Sequence, residues 1–220
     1  PVHLCGQSAD MNGVQRVAKA NGLTVLEDAA QSMGATHGDR QVGTMGELGA
    51  FSFFPSKNLG GFGDGGMITT NDDALAKRAR ILRGHGGAPK YYHKAVGGNF
   101  RMDPLHAALL GIKLGHFPDY LAKRRDNTAQ YFERLAQCEH VGEGRLVLPA
   151  EIDGRSHTWN QFTLRVANGR RDALQAHLTE NHIGSAIYYP VPLHRQECFA
   201  HLPSFGESFP VCEKMSLEAL

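Results

Sequence analysis

Three short apolar runs, residues 23–26, 50–54 and 67–70, are separated by stretches whose apolar residues recur at helical spacing. In residues 10–21 those positions are Met11, Val14, Val17 and Ala18, and Gly22 follows as a natural stop. Residues 72–83 open on Asp72-Asp73 and close on Arg80 and Arg83, the charge order that a helix dipole favours. Strands alternating with helices predict an α/β domain with a mainly parallel sheet. Ligands of such sheets gather at the carboxyl ends of the strands. The first run ends at Glu27-Asp28, and the second ends at Pro55, two residues before Lys57.

The later part of the chain has a different rhythm. Residues 103–136 read as mostly helical with a break near 115–118, and 149–156 read as a loop. Residues 158–166 alternate like a strand, 170–181 have helical spacing, and 184–189 form another strand-like run. This β-α-β pattern predicts a smaller α+β domain, so the expected division is 1–136 for a large domain and 137–220 for an incomplete small one.

Composition narrows the class of partner. Hydrophobic residues at 41%, charged residues at 20% and a formal net charge of +1 describe an ordinary globular protein, with no basic face for nucleic acid and no span for a membrane. Pro1-Val2-His3-Leu4 has neither the basic region nor the apolar segment of a signal peptide, which makes a cytoplasmic setting the expectation. Cys5, Cys138, Cys198 and Cys212 are scattered, without a CxxC pair, and read as reduced thiols. His194, Cys198 and His201 lie close in sequence, but no second ligand pair accompanies them, so no metal site is expected.

The strand ends carry the chemistry. An amine beyond one strand and a carboxylate beyond another are what pyridoxal phosphate requires: Lys57 to form a Schiff base with the aldehyde, and Asp28 to keep the pyridine nitrogen protonated. Each residue also has a plainer reading. Most lysines after strands are surface residues, and Asp28 ahead of Ala29-Ala30-Gln31 would cap a helix. Gly61, Gly63 and Gly66 match the dinucleotide pattern GxGxxG, but they run into the strand at 67–70 instead of a helix, so that pattern fails on context. A tight turn bringing backbone close to the lysine explains them better.

The words around these residues resemble the DegT/DnrJ/EryC1/StrS sugar aminotransferases. They are Leu26-Glu27-Asp28-Ala29-Ala30-Gln31-Ser32-Met33-Gly34-Ala35, Gly49-Ala50-Phe51-Ser52-Phe53-Phe54-Pro55-Ser56-Lys57-Asn58-Leu59 and Gly63-Asp64-Gly65-Gly66-Met67-Ile68-Thr69-Thr70. Gly97-Gly98-Asn99-Phe100-Arg101-Met102-Asp103 and Tyr188-Tyr189-Pro190-Val191-Pro192-Leu193-His194 continue the match in order over nearly the whole chain.

The resemblance implies the aspartate-aminotransferase fold, fold type I, with a homodimer that shares its active sites. It also implies transamination of a nucleotide-linked keto-sugar, with glutamate or glutamine as donor. Gln31 matches a residue that lies against the cofactor ring, and Ser52 a ligand of its phosphate. Asn99 matches an asparagine that crosses to the neighbouring subunit's phosphate, although after two glycines it also reads as a turn residue. His194 and Tyr188 match a sugar-contacting element, or else simply pack together. Relatives that dehydrate sugars carry histidine where this chain has Lys57, which disfavours that reaction.

Both ends read as interior. The resemblance implies an earlier portion, including a Gly-Ser/Thr loop that holds the phosphate, and a strand and helix beyond residue 220. The competing expectation is a non-catalytic or regulatory homologue, or an inert truncated product. A nicotinamide oxidoreductase rests only on the glycine match set aside above.

Overall fold

The computed structural model describes residues 1–220, and its contacts divide them into two units: Pro1–Thr128 with Glu151–Gln161, and Ala129–Ala150 with Phe162–Leu220. The expected boundary at residue 137 falls inside the second unit. Residues 151–161 return to the first because their hydrogen bonds are there. The Ser156 N–H donates to Thr36 O at 3.0 Å, and the Thr158 N–H to Gly6 O at 2.9 Å.

The first unit opens with a 3-10 turn, Leu4–Gly6, and helix α1, Met11–Asn21. Asp10 caps α1 by accepting from the Gly13 N–H, and Gly22 closes it at φ 62°, the left-handed conformation that favours glycine. Strand β1, Leu26–Asp28, follows, then the small hairpin of β2, Thr36–His37, and β3, Arg40–Gln41. Strand β4, Leu48–Ser52, lies between β1 and β5, Gly66–Thr69. The β1–β4 pair is parallel, with Asp28 opposite Ala50, whereas β4–β5 is antiparallel. The sheet thus has the expected parallel component, and the glycine turn after β4 sends the chain back along it as the antiparallel β5. A parallel bridge from Val2 to Asp28 extends the other edge.

Helix α2, Asp73–Arg83, is capped by Asp72, whose carboxylate accepts from the N–H groups of Ala74 and Leu75. Helices α3, Pro104–Gly115, and α4, Phe117–Leu135, follow, broken where the sequence predicts. Phe53 and Leu59, on either side of the lysine turn, pack with Leu110, Phe117 and Leu121 in one core cluster. Burying side chains of this size stabilises by about 1.5–3 kcal/mol each, so the turn between Phe53 and Leu59 is anchored at both ends.

The second unit holds α5, Glu139–Gly142, the two-residue pair β6, Leu146–Val147, and β7, Arg165–Val166, then α6, Arg171–Glu180, two 3-10 turns, and α7, Pro210–Glu218. Two expected strands are corrected. Residues 158–166 form a ladder only at Arg165–Val166, since Thr158 and Gln161 bond to Gly6 and Cys5 of the first unit and Leu164 bonds to Leu220. Residues 184–189 pair with no strand and stay irregular. No helix is long and apolar enough to cross a membrane.

Candidate active site

Asp28 is the last residue of β1, and the parallel register sets it beside Ala50, two residues before Ser52 ends β4. The sheet therefore delivers the carboxylate and the lysine-bearing turn to the carboxyl ends of adjacent parallel strands. The Asp28 backbone is held twice by the Pro1–His3 segment, its N–H donating to Pro1 O at 2.9 Å and its carbonyl accepting from the His3 N–H at 3.0 Å. No helix starts after it. Its Oδ1 accepts instead from the Ala30 N–H at 3.0 Å, a local turn that orients a half-buried carboxylate.

Its neighbour Glu27 points to the other side of the strand and is wholly buried. Oε1 accepts from the N–H groups of Met45 and Gly46, both at 2.6 Å, and Oε2 from the Gly43 N–H at 2.8 Å and His3 Nε2 at 2.9 Å. Burial alone pushes this carboxyl up, but the bonds from His3, Gly46, Gly43 and Met45 outweigh it and hold the pKa at about 2. His3 Nδ1 accepts from the Ala9 N–H at 3.0 Å, which leaves the proton on Nε2 for Glu27. Sequence reasoning assigned Glu27 no role. The one available signal was its alternation with Asp28 at a strand end.

Lys57 sits half-buried in the turn after β4, its N–H donating to Phe54 O at 2.9 Å. Behind it the glycines are packed tightly. A Cβ on Gly60 would overlap Pro55 O, and one on Gly61 would overlap His106 Nε2. His106 Nε2 accepts from the Phe62 N–H at 3.2 Å, and Lys113 Nζ donates to Gly60 O. Ser52 Oγ accepts from the Phe54 N–H at 3.2 Å, which leaves its hydroxyl proton to donate elsewhere. Gln31 is buried, with Oε1 accepting from the Cys5 N–H at 2.6 Å.

Asp28, Gln31, Ser52 and Lys57 thus all lie in the first unit, on strand ends or the loops that follow them. Asn99 is exposed, in a backbone bridge with Gly84. Tyr188 and His194 belong to the second unit. There Tyr188 meets Tyr189 edge to face with centroids 5.4 Å apart. His194 Nε2 lies 3.1 Å from Glu213 Oε1, and bonds from His194, Arg195 and the Phe209 N–H lower the Glu213 carboxyl to about 2.

The donor set suits pyridoxal phosphate. It offers one amine for an aldehyde, one carboxylate for a ring nitrogen and a hydroxyl for a phosphate. Asp28, Ser52 and Lys57 are half-buried, and the turn beside them leaves no room for a Cβ on Gly60 or Gly61. The buried Ser32 Oγ and Asn58 Oδ1 in the same two loops have no hydrogen-bond partner, so polar capacity remains for a ligand.

The model of the DegT/DnrJ/EryC1/StrS aminotransferase family matches residues 1–220. Over 220 residues the chain is 47% identical to the "Pleiotropic regulatory protein" of Geobacillus stearothermophilus, covering all of this chain and 58% of that one. It is 43% identical over 201 residues to the UDP-N-acetyl-3-dehydro-alpha-D-glucosamine 3-aminotransferase of Acidithiobacillus ferrooxidans, covering 91% of this chain and 52% of the relative. The S. venezuelae DesV structure, solved with a ketimine intermediate, superposes with a TM-score of 0.91 at 38% identity, covering 100% of this chain and 57% of that one. The chain thus spans a little over half the length of these relatives. Matched from end to end, the chain belongs to the DegT/DnrJ/EryC1/StrS aminotransferase family.

Proposed function

We propose that this chain carries the reacting centre of a pyridoxal phosphate-dependent aminotransferase. Its substrate is a nucleotide-linked keto-sugar, which it converts to an amino-sugar with glutamate or glutamine as donor. The observation that carries this reading is the pairing of β1 with β4, which puts Asp28 and the Lys57 turn at the same end of adjacent parallel strands. The name of the Acidithiobacillus relative supports the substrate class.

Pyridoxal phosphate, when bound, supplies an electron sink for the charge that develops as a carbon–hydrogen bond breaks. Lys57 is the amine that would hold its aldehyde. The same amine would serve as the base for a proton at the donor carbon and as the acid that returns one at the sugar carbon. Asp28 would keep a proton on the ring nitrogen. Ser52 would donate to the phosphate, and Gln31 would lie against the ring. Asn99 of a second copy would complete the phosphate site, so that the working unit is a homodimer with shared sites. Tyr188 and His194 would meet the sugar.

A regulatory, non-catalytic role is the second reading, favoured by the name of the Geobacillus relative. Retention of both Lys57 and Asp28 favours catalysis, since binding alone needs neither a lysine nor an acid at these positions.

The test is to supply the full-length protein with pyridoxal phosphate, glutamate and a nucleotide-linked 3-keto-sugar. An amino-sugar should form, and Lys57→Ala should form none. Bound cofactor with no turnover on any keto-sugar nucleotide would support the regulatory reading instead.

A further inference from the structure

Asn58, next to Lys57, has a side chain that the fold holds at a cost. It is buried, Nδ2 donates to Thr158 O at 3.0 Å, and Oδ1 is buried with no partner. A buried acceptor left unsatisfied costs more than the single bond at Nδ2 contributes. Stability alone therefore gives little reason for an amide here. A leucine of similar size would remove the orphaned Oδ1 while orphaning Thr158 O, an even exchange.

The bond to Thr158 has a further reach. Thr158 donates to Gly6 O through both its N–H, at 2.9 Å, and its hydroxyl, at 3.2 Å. Gln161 N–H donates to Cys5 O at 3.2 Å, and Cys5 N–H donates to Gln31 Oε1 at 2.6 Å. Gly6 is at φ 113°, and a Cβ there would press on Thr158 Oγ1 at 2.8 Å and Asn160 N at 2.9 Å, so the two segments lie backbone against backbone. A continuous set of bonds therefore runs from the lysine turn, through residues 158–161 and 5–6, to the loop that follows Asp28.

We propose that Asn58 is a positioning residue: it couples the Lys57 turn, through Thr158, Gly6 and Cys5, to Gln31 and thereby fixes the lysine amine relative to the Asp28 loop. This rests on the function proposed above and adds to it how the two loops are kept in register.

The test uses the full-length protein loaded with pyridoxal phosphate and the variants Asn58→Leu and Asn58→Asp. Asn58→Leu should keep its melting temperature within about 2 °C of the parent, because the exchange of orphans is even. The absorbance of the lysine–cofactor adduct should titrate at a pH displaced by about half a unit or more, since the amine's surroundings change. The maximal rate should fall about tenfold or more with little change in donor KM, as expected when reacting groups are misaligned but binding is kept. Asn58→Asp, isosteric but with an oxygen facing Thr158 O, should displace the titration in the same way. A parent protein with no lysine–cofactor absorbance would refute the proposed function itself. A parental titration in a folded Asn58→Leu, a loss of melting temperature with the titration unmoved, or collapse of both variants would overturn the positioning role.

Discussion

Glu27→Gln keeps the shape of a buried side chain and removes its charge. The carboxylate takes two donors on each oxygen: Met45 and Gly46 on Oε1, Gly43 and His3 on Oε2. Glutamine can offer an oxygen to one pair only. Its NH2 must then face two groups that are themselves donors. His3 cannot relieve the clash by moving its proton to Nδ1, because Nδ1 already accepts from the Ala9 N–H. Hydrogen bonds to a charged group are worth about 1.5–3 kcal/mol, and losing two while weakening two should destabilise by about 3 kcal/mol. That is a large part of the 5–15 kcal/mol typical of a domain.

The loss should also carry a pH signature. The folded pKa of Glu27 is held at about 2, below its ordinary 4.5. Its stabilisation is therefore complete above pH 4.5 and disappears as the pH falls toward 2, a contribution of about 3 kcal/mol. Urea unfolding of the parent and Glu27→Gln from pH 7 to pH 2.5 measures both effects. The curves should lie about 3 kcal/mol apart at pH 7 and converge below pH 4.5. Parallel curves, or equal stability at pH 7, would refute the reasoning.

Three further outcomes follow. Burial lowers His157 from 6.5 to about 4, so the stability tied to its neutral form should be complete above pH 6.5 and lost as the pH falls toward 4. That window extends above the one for Glu27 and overlaps it only between about 4 and 4.5, and His157→Phe should flatten it in the same unfolding series. Gly61→Ala, whose Cβ would overlap His106 Nε2, should destabilise by about 1–3 kcal/mol and weaken cofactor binding, whereas Gly63→Ala, with open space around it, should be within about 0.5 kcal/mol of the parent. Mixing full-length Lys57→Ala and Asn99→Ala chains should restore activity that neither has alone, since one site of each mixed dimer is then intact. Proven exchange of subunits without recovery would remove Asn99 from a shared site.

The locally encoded features were legible. Asp10 and Gly22 bound α1, Asp72 starts α2, and the runs expected at 23–26 and 50–54 overlap two strands of one sheet, which the structure sets at Leu26–Asp28 and Leu48–Ser52. What the chain concealed depends on distant partners. The role of Glu27 rests on backbone N–H groups of residues 43–46, which no side-chain pattern announces. Residues 158–161 alternate like strand residues yet bond to Cys5 and Gly6, some 150 positions away in sequence, which shortens β7 to Arg165–Val166. Residues 184–189 have the alternation of a strand but belong to no sheet, because period alone does not supply a neighbouring strand. The placement of Asp28 and the Lys57 turn beyond strands was legible because strand ends are recognisable. Asn58 was not, because its partner is Thr158.

The most direct measurement is the identity of the lysine that captures the cofactor. Full-length protein is incubated with pyridoxal phosphate, reduced with borohydride, digested, and the peptides are mapped by mass. The label should fall on the peptide containing Lys57, and the absorbance of the adduct before reduction should vanish in Lys57→Ala. Label on Lys90, Lys113 or any other lysine, or no label at all, would contradict the assignment of Lys57 as the reacting amine.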